Sequence, residues 1–194
     1  MTEQEKMDRG LLYDANYDPE LLEQRTRCKD LCHDFNQLRP SQLEEQEALI
    51  RRLLGGAGER FCITAPFWCD YGRNIFLGED FYSNHNLVIL DAAPVRFGDH
   101  VFVGPNCVFS TAGHPLDVEQ RNQGLEYAYP IHVGNNVWFG AGVTVLPGVT
   151  IEDDTVVGAG SLVNRDLPSG VIAAGVPCRV IRPITPADRD KYKR

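Results

Sequence analysis

The sequence predicts a mainly β chain: a parallel β-helix with a short helical cap at its N-terminal end and a loop protruding at about residues 110–130. Three observations carry this. From residue 133 onward apolar residues recur at every sixth position, a period that fits neither an α-helix nor a simple alternating strand. Before residue 55 they recur instead at helical spacing, between recognisable helix ends. Between 110 and 130 the six-residue beat stops and a stretch rich in polar residues replaces it.

The helical part comes first. Asp18 supplies an N-cap and Pro19 a favourable first helical residue, and Leu21, Cys28, Cys32 and Phe35 share one face of a helix up to Asn36. Ser41 followed by Glu44 reads as a capping box that opens a second helix, in which Leu43, Leu49, Ile50, Leu53 and Leu54 precede Gly55. Glu44, Glu45 and Glu47 come early and Arg51 and Arg52 late, as the helix dipole prefers. The stretch Gly55-Gly56-Ala57-Gly58 lacks the preceding strand and the following Lys-Ser or Lys-Thr of a phosphate loop, so it reads as a linker. The division that results is a cap over 1–58, a β-helix over 59–183 and a tail over 184–194.

In the β part, Val133, Phe139, Val145, Ile151, Val157 and Val163 stand six residues apart, with Val137, Val143, Val149, Thr155, Ser161 and Leu167 four positions further on. A repeat of this length implies a short strand and a turn at constant spacing, several of which close one coil, so that inward positions stack from coil to coil. Glycines 134, 140 and 158 follow the apolar residue, where tight packing leaves no room for a side chain. The same phrase appears earlier as Leu77-Gly78, Phe97-Gly98 and Val103-Gly104, with a slip of phase between Ile89 and Phe97.

Composition narrows the function classes. With 194 residues, 43% of them hydrophobic and 24% charged, the chain can build a real core, and its net charge of −8 argues against a nucleic-acid partner. No apolar run approaches the roughly 20 residues needed to span a bilayer, and the opening Met1-Thr2-Glu3-Gln4-Glu5 does not resemble a signal segment, so no membrane and a cytoplasmic location are expected. The six cysteines show no paired zinc-ribbon spacing and are expected to be free thiols. Cys28, Cys32 and His33 crowd one helical stretch, but small thiols on a helix face are common core residues, and no metal is expected there.

A solenoid filled by aliphatic side chains has no interior pocket, so chemistry must lie on its surface, under a loop or between subunits. His114, between Gly113 and Pro115, is the one histidine of the excursion. Neutral imidazole suits proton abstraction near pH 7, although an exposed loop histidine is the commoner reading on composition alone.

Further motifs carry a resemblance. Cys69-Asp70-Tyr71-Gly72, Asn74-Ile75-Phe76-Leu77-Gly78, Phe81-Tyr82-Ser83-Asn84, Thr111-Ala112-Gly113-His114-Pro115, Gly134-Asn135-Asn136-Val137-Trp138 and Ala173-Ala174-Gly175-Val176-Pro177-Cys178-Arg179-Val180-Ile181-Arg182 run in order through the chain. In these segments it resembles the maltose, glucose and galactoside O-acetyltransferases of the hexapeptide-repeat superfamily. The resemblance implies a left-handed β-helix, a homotrimer with sites between subunits, a sugar acceptor and acetyl-CoA as co-substrate, without a metal. It further implies His114 as general base, Asn84 orienting the acceptor oxygen, Trp138 against the pantetheine arm, and backbone amides near Ala141 stabilising the oxyanion. Acceptor contacts are implied at Asp14, Arg25, Asp70, Tyr82 and Glu126, and CoA contacts at Ala159, Asn164, Arg165, Arg179 and Arg182. Glu126 falls where galactoside enzymes tend to be apolar, which leans the acceptor towards glucose or maltose rather than a galactoside or another oligosaccharide. Ala92 departs from the acid that some relatives carry, and His85 from their aromatic. Two other readings remain on the same architecture: a zinc carbonic anhydrase drawing on His85, His100, His114 and His132, and a non-catalytic scaffold.

Overall fold

A computed structural model describes residues 1–192; the last two residues of the expected tail lie outside the described residues. Helix α1 (Glu3–Asp8) opens the chain on a capping box between Thr2 and Glu5 that the sequence reading did not use, although the Thr-x-x-Glu signal is present. Helix α2 (Pro19–Gln37) begins as expected, with the Asp18 carboxylate accepting from the Leu21 amide, and buries Leu21, Cys28, Cys32 and Phe35. Helix α3 (Leu43–Leu53) departs from expectation. Its N-cap is Gln42 rather than Ser41, and no side chain caps it. The Gln42 side chain instead accepts from the Arg39 amide while its own amide donates to the Arg39 carbonyl, so a turn after α2 takes up the residues that the capping box would need.

The stretch expected as a linker already carries a strand. Gly56–Ala57 pairs in parallel with Phe76 and Leu77, so the coil begins three residues before the expected start at 59. From there strands feed three faces in rotation. The first face contains Gly56–Ala57, Ile75–Leu77, Val95–Phe97, Ile131–Val133 and Thr150–Ile151; the second runs from Phe61–Ile63 through Phe81–Ser83, Phe102–Val103, Trp138–Phe139 and Val156–Val157 to Val171–Ala174; the third holds Phe67–Cys69, Leu87–Leu90, Val108–Ser110, Thr144–Val145 and Leu162–Val163. This rotation, with parallel pairing within each face, is the expected β-helix. Arg179–Pro183 closes the second face antiparallel, and a short 3₁₀ turn, Pro186–Asp190, follows.

Coil length explains the slip of phase. In the late coils partners stand 18 residues apart, as Asn136 and Asp154 do, which is three six-residue units. In the early coils they stand 20 apart, as Asn86 and Asn106 do, so the beat cannot hold across the junction. Every inward residue named from the sequence, from Val133 to Leu167, is buried. Phe81, Phe97, Phe109 and Phe139 form an aromatic ladder up the axis, with ring centroids 5.0–5.1 Å apart. At Gly140 an added Cβ would meet the Ala159 amide nitrogen at 2.6 Å, the close approach of coils anticipated there.

The cap is continuous with this core. Asn36 of α2 exchanges two hydrogen bonds with the backbone of Phe67, and Phe35, Ile50 and Leu53 join the same hydrophobic cluster as the coils. Residues 110–130 are ordered rather than a bare loop: Ala112–Gly113 and Leu125–Ala128 pair antiparallel around helix α4 (Val118–Asn122). Tyr13–Asp14 adds a third strand to that small sheet. Met7, Tyr13, Ala15, Leu21, Tyr71, Ala92, Ala93 and Ala128 form a second core beneath it. No helix among the described residues is long and apolar enough to cross a membrane.

Candidate active site

Rotation of the chain fixes where each candidate lies. The 110–130 excursion leaves the third face after Ser110 and re-enters the first face at Ile131, so His114 stands at the corner between those faces. His114 is about half exposed, and its Nδ1 lies 3.0 Å from the Leu125 carbonyl oxygen. A carbonyl can only accept, so Nδ1 carries the proton and the neutral ring has its lone pair at Nε2. Glu126 Oε1 lies 3.7 Å from that Nε2, and Tyr13 donates its phenol to Glu126 Oε2 at 2.9 Å. Tyr13 and Glu126 are also register partners, so one strand pair sets both side chains. Tyr13 was not foreseen; the signal was its place beside Asp14 in a segment with no other structural pattern.

Asp70 follows the third face at the same corner, and burial pushes its carboxyl up, with Lys29 and Arg25 opposing. Lys29 Nζ stands 4.0 Å from it. A second unforeseen residue holds this turn. Asp91, fully buried, accepts from the amides of Asp70 at 3.0 Å, Tyr71 at 2.8 Å and Asn74 at 3.3 Å. Burial raises its carboxyl to about 6 despite those bonds. A lone acid in the run Val88-Ile89-Leu90-Asp91-Ala92-Ala93 was its sequence signal. Ala92 itself is buried in the second core.

Two expected acceptor contacts have local duties. Asp14 Oδ1 accepts from the amides of Asn16 and Tyr17, the pattern of an Asx turn. Arg25 donates to the Tyr71 phenol at 2.8 Å and to the Ala15 carbonyl, and so ties α2 to both neighbours.

The other candidates lie elsewhere. Asn84 follows the second face, at its corner with the third, and its Oδ1 accepts from the His85 amide at 2.7 Å. Tyr82, Asn84, Gly104, Trp138 and Ala141 line one cavity of about 460 Å³. Tyr82, Phe102 and Trp138 stack outward along the second face, with Trp138 53% exposed. The amides of Gly140 and Gly142 donate to Val157 and Pro105. A Cβ on Gly104 would come within 2.8 Å of the Ala141 nitrogen, so the missing side chain keeps that amide approachable. Ala159 stacks one coil beyond, against Gly140.

The structure therefore gathers His114, Glu126, Asp14 and Asp70 at one corner and Tyr82, Asn84, Trp138 and Ala141 at another, with the third face between them. Asn164 and Arg165 are exposed, and Arg179 donates to the Cys178 carbonyl. The guanidinium fork of Arg182 is engaged by Asp188 at 2.6 and 2.7 Å, which lowers the Asp188 carboxyl far below its usual range. The histidines of the zinc reading are separately engaged: His85 with the Ala65 carbonyl, His100 with Asp80 at 3.3 Å, and His114 as above. His132 is exposed in a first-face strand.

Comparison with known proteins agrees with this architecture. Residues 6–58 match the maltose acetyltransferase hexapeptide capping motif, and residues 130–165 match the bacterial transferase hexapeptide of six repeats. The chain is 48% identical over 172 residues to galactoside O-acetyltransferase of Escherichia coli strain K12, covering 89% of this chain and 84% of that protein. The crystal structure of a maltose O-acetyltransferase from Clostridium difficile 630 superposes with a TM-score of 0.93 at 43% identity, covering 95% of this chain and 98% of that one. A galactoside acetyltransferase in complex with coenzyme A gives 0.95 at 43% identity, covering 100% and 96%. With the capping motif and the hexapeptide repeats matched, and a relative 48% identical over 89% of this chain, the chain belongs to the hexapeptide-repeat acetyltransferase family that includes the maltose and galactoside O-acetyltransferases.

Proposed function

We propose that the protein transfers an acetyl group from acetyl-CoA to a hydroxyl of a sugar such as maltose or glucose, by direct attack with His114 as general base. The observation that carries this is the Nδ1–Leu125 hydrogen bond, which leaves the lone pair of His114 on Nε2. The acceptor oxygen attacks the thioester carbonyl carbon as its proton passes to Nε2. The tetrahedral oxyanion then collapses, the carbon–sulfur bond breaks, and the imidazolium returns the proton to the departing CoA sulfur. Glu126 places a carboxylate oxygen 3.7 Å from the Nε2 that carries the proton between these steps.

Glu126 and Asp70 at the His114 corner offer carboxylates to sugar hydroxyls, and Glu126, an acid where galactoside enzymes tend to be apolar, leans the proposed acceptor towards glucose or maltose. The second-face cavity suits the other substrate: the open Trp138 face and the approachable Ala141 amide fit a pantetheine arm and an oxyanion. Arg165 and Arg179 are exposed cations suited to CoA phosphates. Because one chain holds these two halves at different corners, we propose a homotrimer in which the His114 corner of one copy faces the Asn84 corner of its neighbour. We propose a cytoplasmic setting, whose reducing conditions would keep the closely spaced Cys28, Cys32 and Cys69 as thiols.

Mixing separately inactive variants tests both ideas. His114→Ala and Asn84→Ala proteins should each lose about 10²–10⁴-fold in kcat while still binding CoA. Subunits exchanged at equal ratio should recover about a quarter of wild-type turnover, because one site in four then draws both intact residues from neighbouring copies. No recovery, after mass spectrometry has verified mixed trimers, would refute the shared site; full activity of His114→Ala would refute the base.

A further inference from the structure

The best-defined cluster of reactive side chains outside the proposed site is made of sulfur. Cys28 and Cys32, one turn apart on α2, meet Cys69 at the end of the first third-face strand. Sγ of Cys69 lies 3.5 Å from Cys28 and 3.7 Å from Cys32, and the three sulfurs all fall within 4.8 Å of one another. All three residues are buried, at 0–4% exposure. Cys69 was invisible to the helical spacing that drew attention to Cys28 and Cys32, and His33, beside them in sequence, is exposed and outside the cluster.

We propose that Cys28, Cys32 and Cys69 form a binding site for a soft, three-coordinate thiophile of the trivalent arsenic class. Three sulfurs in a pyramid around a centre at about 2.3 Å stand roughly 3.5 Å apart; two edges of this triangle, at 3.5 and 3.7 Å, are already near that, and the third is within 4.8 Å. A disulfide would instead require two sulfurs to close to about 2.05 Å and would leave the third unused. No further histidine, cysteine or carboxylate joins the cluster among the described residues, which disfavours zinc with its four ligands.

Charge selects among the remaining thiophiles. Three thiolates on a trivalent centre make a neutral complex, whereas a monovalent or divalent ion leaves net negative charge in a buried site. The buried carboxylate of Asp91, bonded to the amide that follows Cys69, adds to that penalty. The reaction balances without any redox step: arsenous acid and three thiols give the arsenic trithiolate and three waters. Arsenous acid is small and uncharged at neutral pH, and Cys28 borders a cavity of about 220 Å³ shared with Leu31, Leu53 and Tyr71 through which it can enter.

The test uses the full-length protein with arsenite as probe, read by native mass spectrometry and by alkylation mapping after denaturation. The expected result is one arsenic gained and three hydrogens lost per chain, with Cys28, Cys32 and Cys69 protected and Cys62, Cys107 and Cys178 alkylated. Cys28→Ala or Cys32→Ala should weaken binding at least tenfold, and Cys62→Ala should leave it unchanged. Mapping the wild-type protein decides the matter even if a variant fails to fold. Binding of monovalent copper without arsenite would overturn the charge argument. Protection elsewhere, no arsenic uptake, or loss of two hydrogens to a disulfide on purification would overturn the site.

Discussion

Replacing Asp91 by asparagine tests how the turn beneath Asp70 is held. Burial lifts this carboxyl from 3.8 to about 6, against three backbone amides that pull it down. Between those two values the folded protein binds more protons at this site than the unfolded chain does. The stabilising contribution is therefore fully present below the unfolded value and is lost as pH rises through about 6. A shift of roughly two units corresponds to about 3 kcal/mol, at about 1.36 kcal/mol per unit. Asparagine keeps an oxygen for the amides of Asp70 and Tyr71 but cannot ionise, and it turns an NH₂ toward the Asn74 amide that Asp91 now meets at 3.3 Å. Asp91→Asn should thus carry a pH-independent penalty from the lost Asn74 bond, and should gain on wild type by up to about 3 kcal/mol between about pH 4 and pH 7. Urea unfolding in small pH steps, at one protein concentration because assembly contributes to stability, reads that difference. A difference that stays flat across the range would refute the reasoning, since a carboxylate already ionised at low cost would give no such slope.

Three further outcomes follow from single contacts. Tyr13→Phe removes the donor that fixes Glu126 beside His114, and should lower stability by about 1.5–3 kcal/mol and kcat by several-fold while leaving CoA affinity unchanged, as urea unfolding, initial rates and calorimetry would show. Gly104→Ala places a methyl 2.8 Å from the Ala141 nitrogen, so CoA affinity should fall at least tenfold by calorimetry; unchanged affinity would mean that this amide is not used. Ser83 Oγ is buried without a partner, so Ser83→Ala should raise the unfolding free energy by about 1 kcal/mol or more, and a loss of stability would point to a water held there.

What was legible in the sequence is what repeats. The late coils are 18 residues long, so Val133 to Val163 display the period directly, and the buried positions followed from it residue by residue. The early coils are longer by two residues, and that offset, invisible without pairing, blurred the same pattern before residue 97. Helix α2 was legible because Asp18 and Pro19 act locally; the start of α3 was not, because a turn between Arg39 and Gln42 competes for the same chain. His114 was singled out because it interrupts a repeat. Tyr13 and Cys69 act on residues 113 and 41 positions away, beyond any local spacing, and Asp91 acts across one early coil of 20 residues, a length that shows only once the strands are paired.

The same repeat dictates where catalysis can occur. Phe81, Phe97, Phe109 and Phe139 fill the axis, so no reacting group can sit inside the coil, and each must stand at a corner or on a face. His114 lies where the third face turns into the first, and Asn84 and Ala141 lie where the second turns into the third. Neither set can cross the intervening face without breaking the ladder that pairs Val88 with Val108 and Val108 with Thr144. In the proposed mechanism the base and the oxyanion donor act within hydrogen-bonding reach of one carbonyl, which is why we propose that the two corners meet across two chains. On that proposal turnover requires assembly, and a dissociated monomer should bind either substrate at its own half-site without turning over, as calorimetry and initial rates below the dissociation concentration would show.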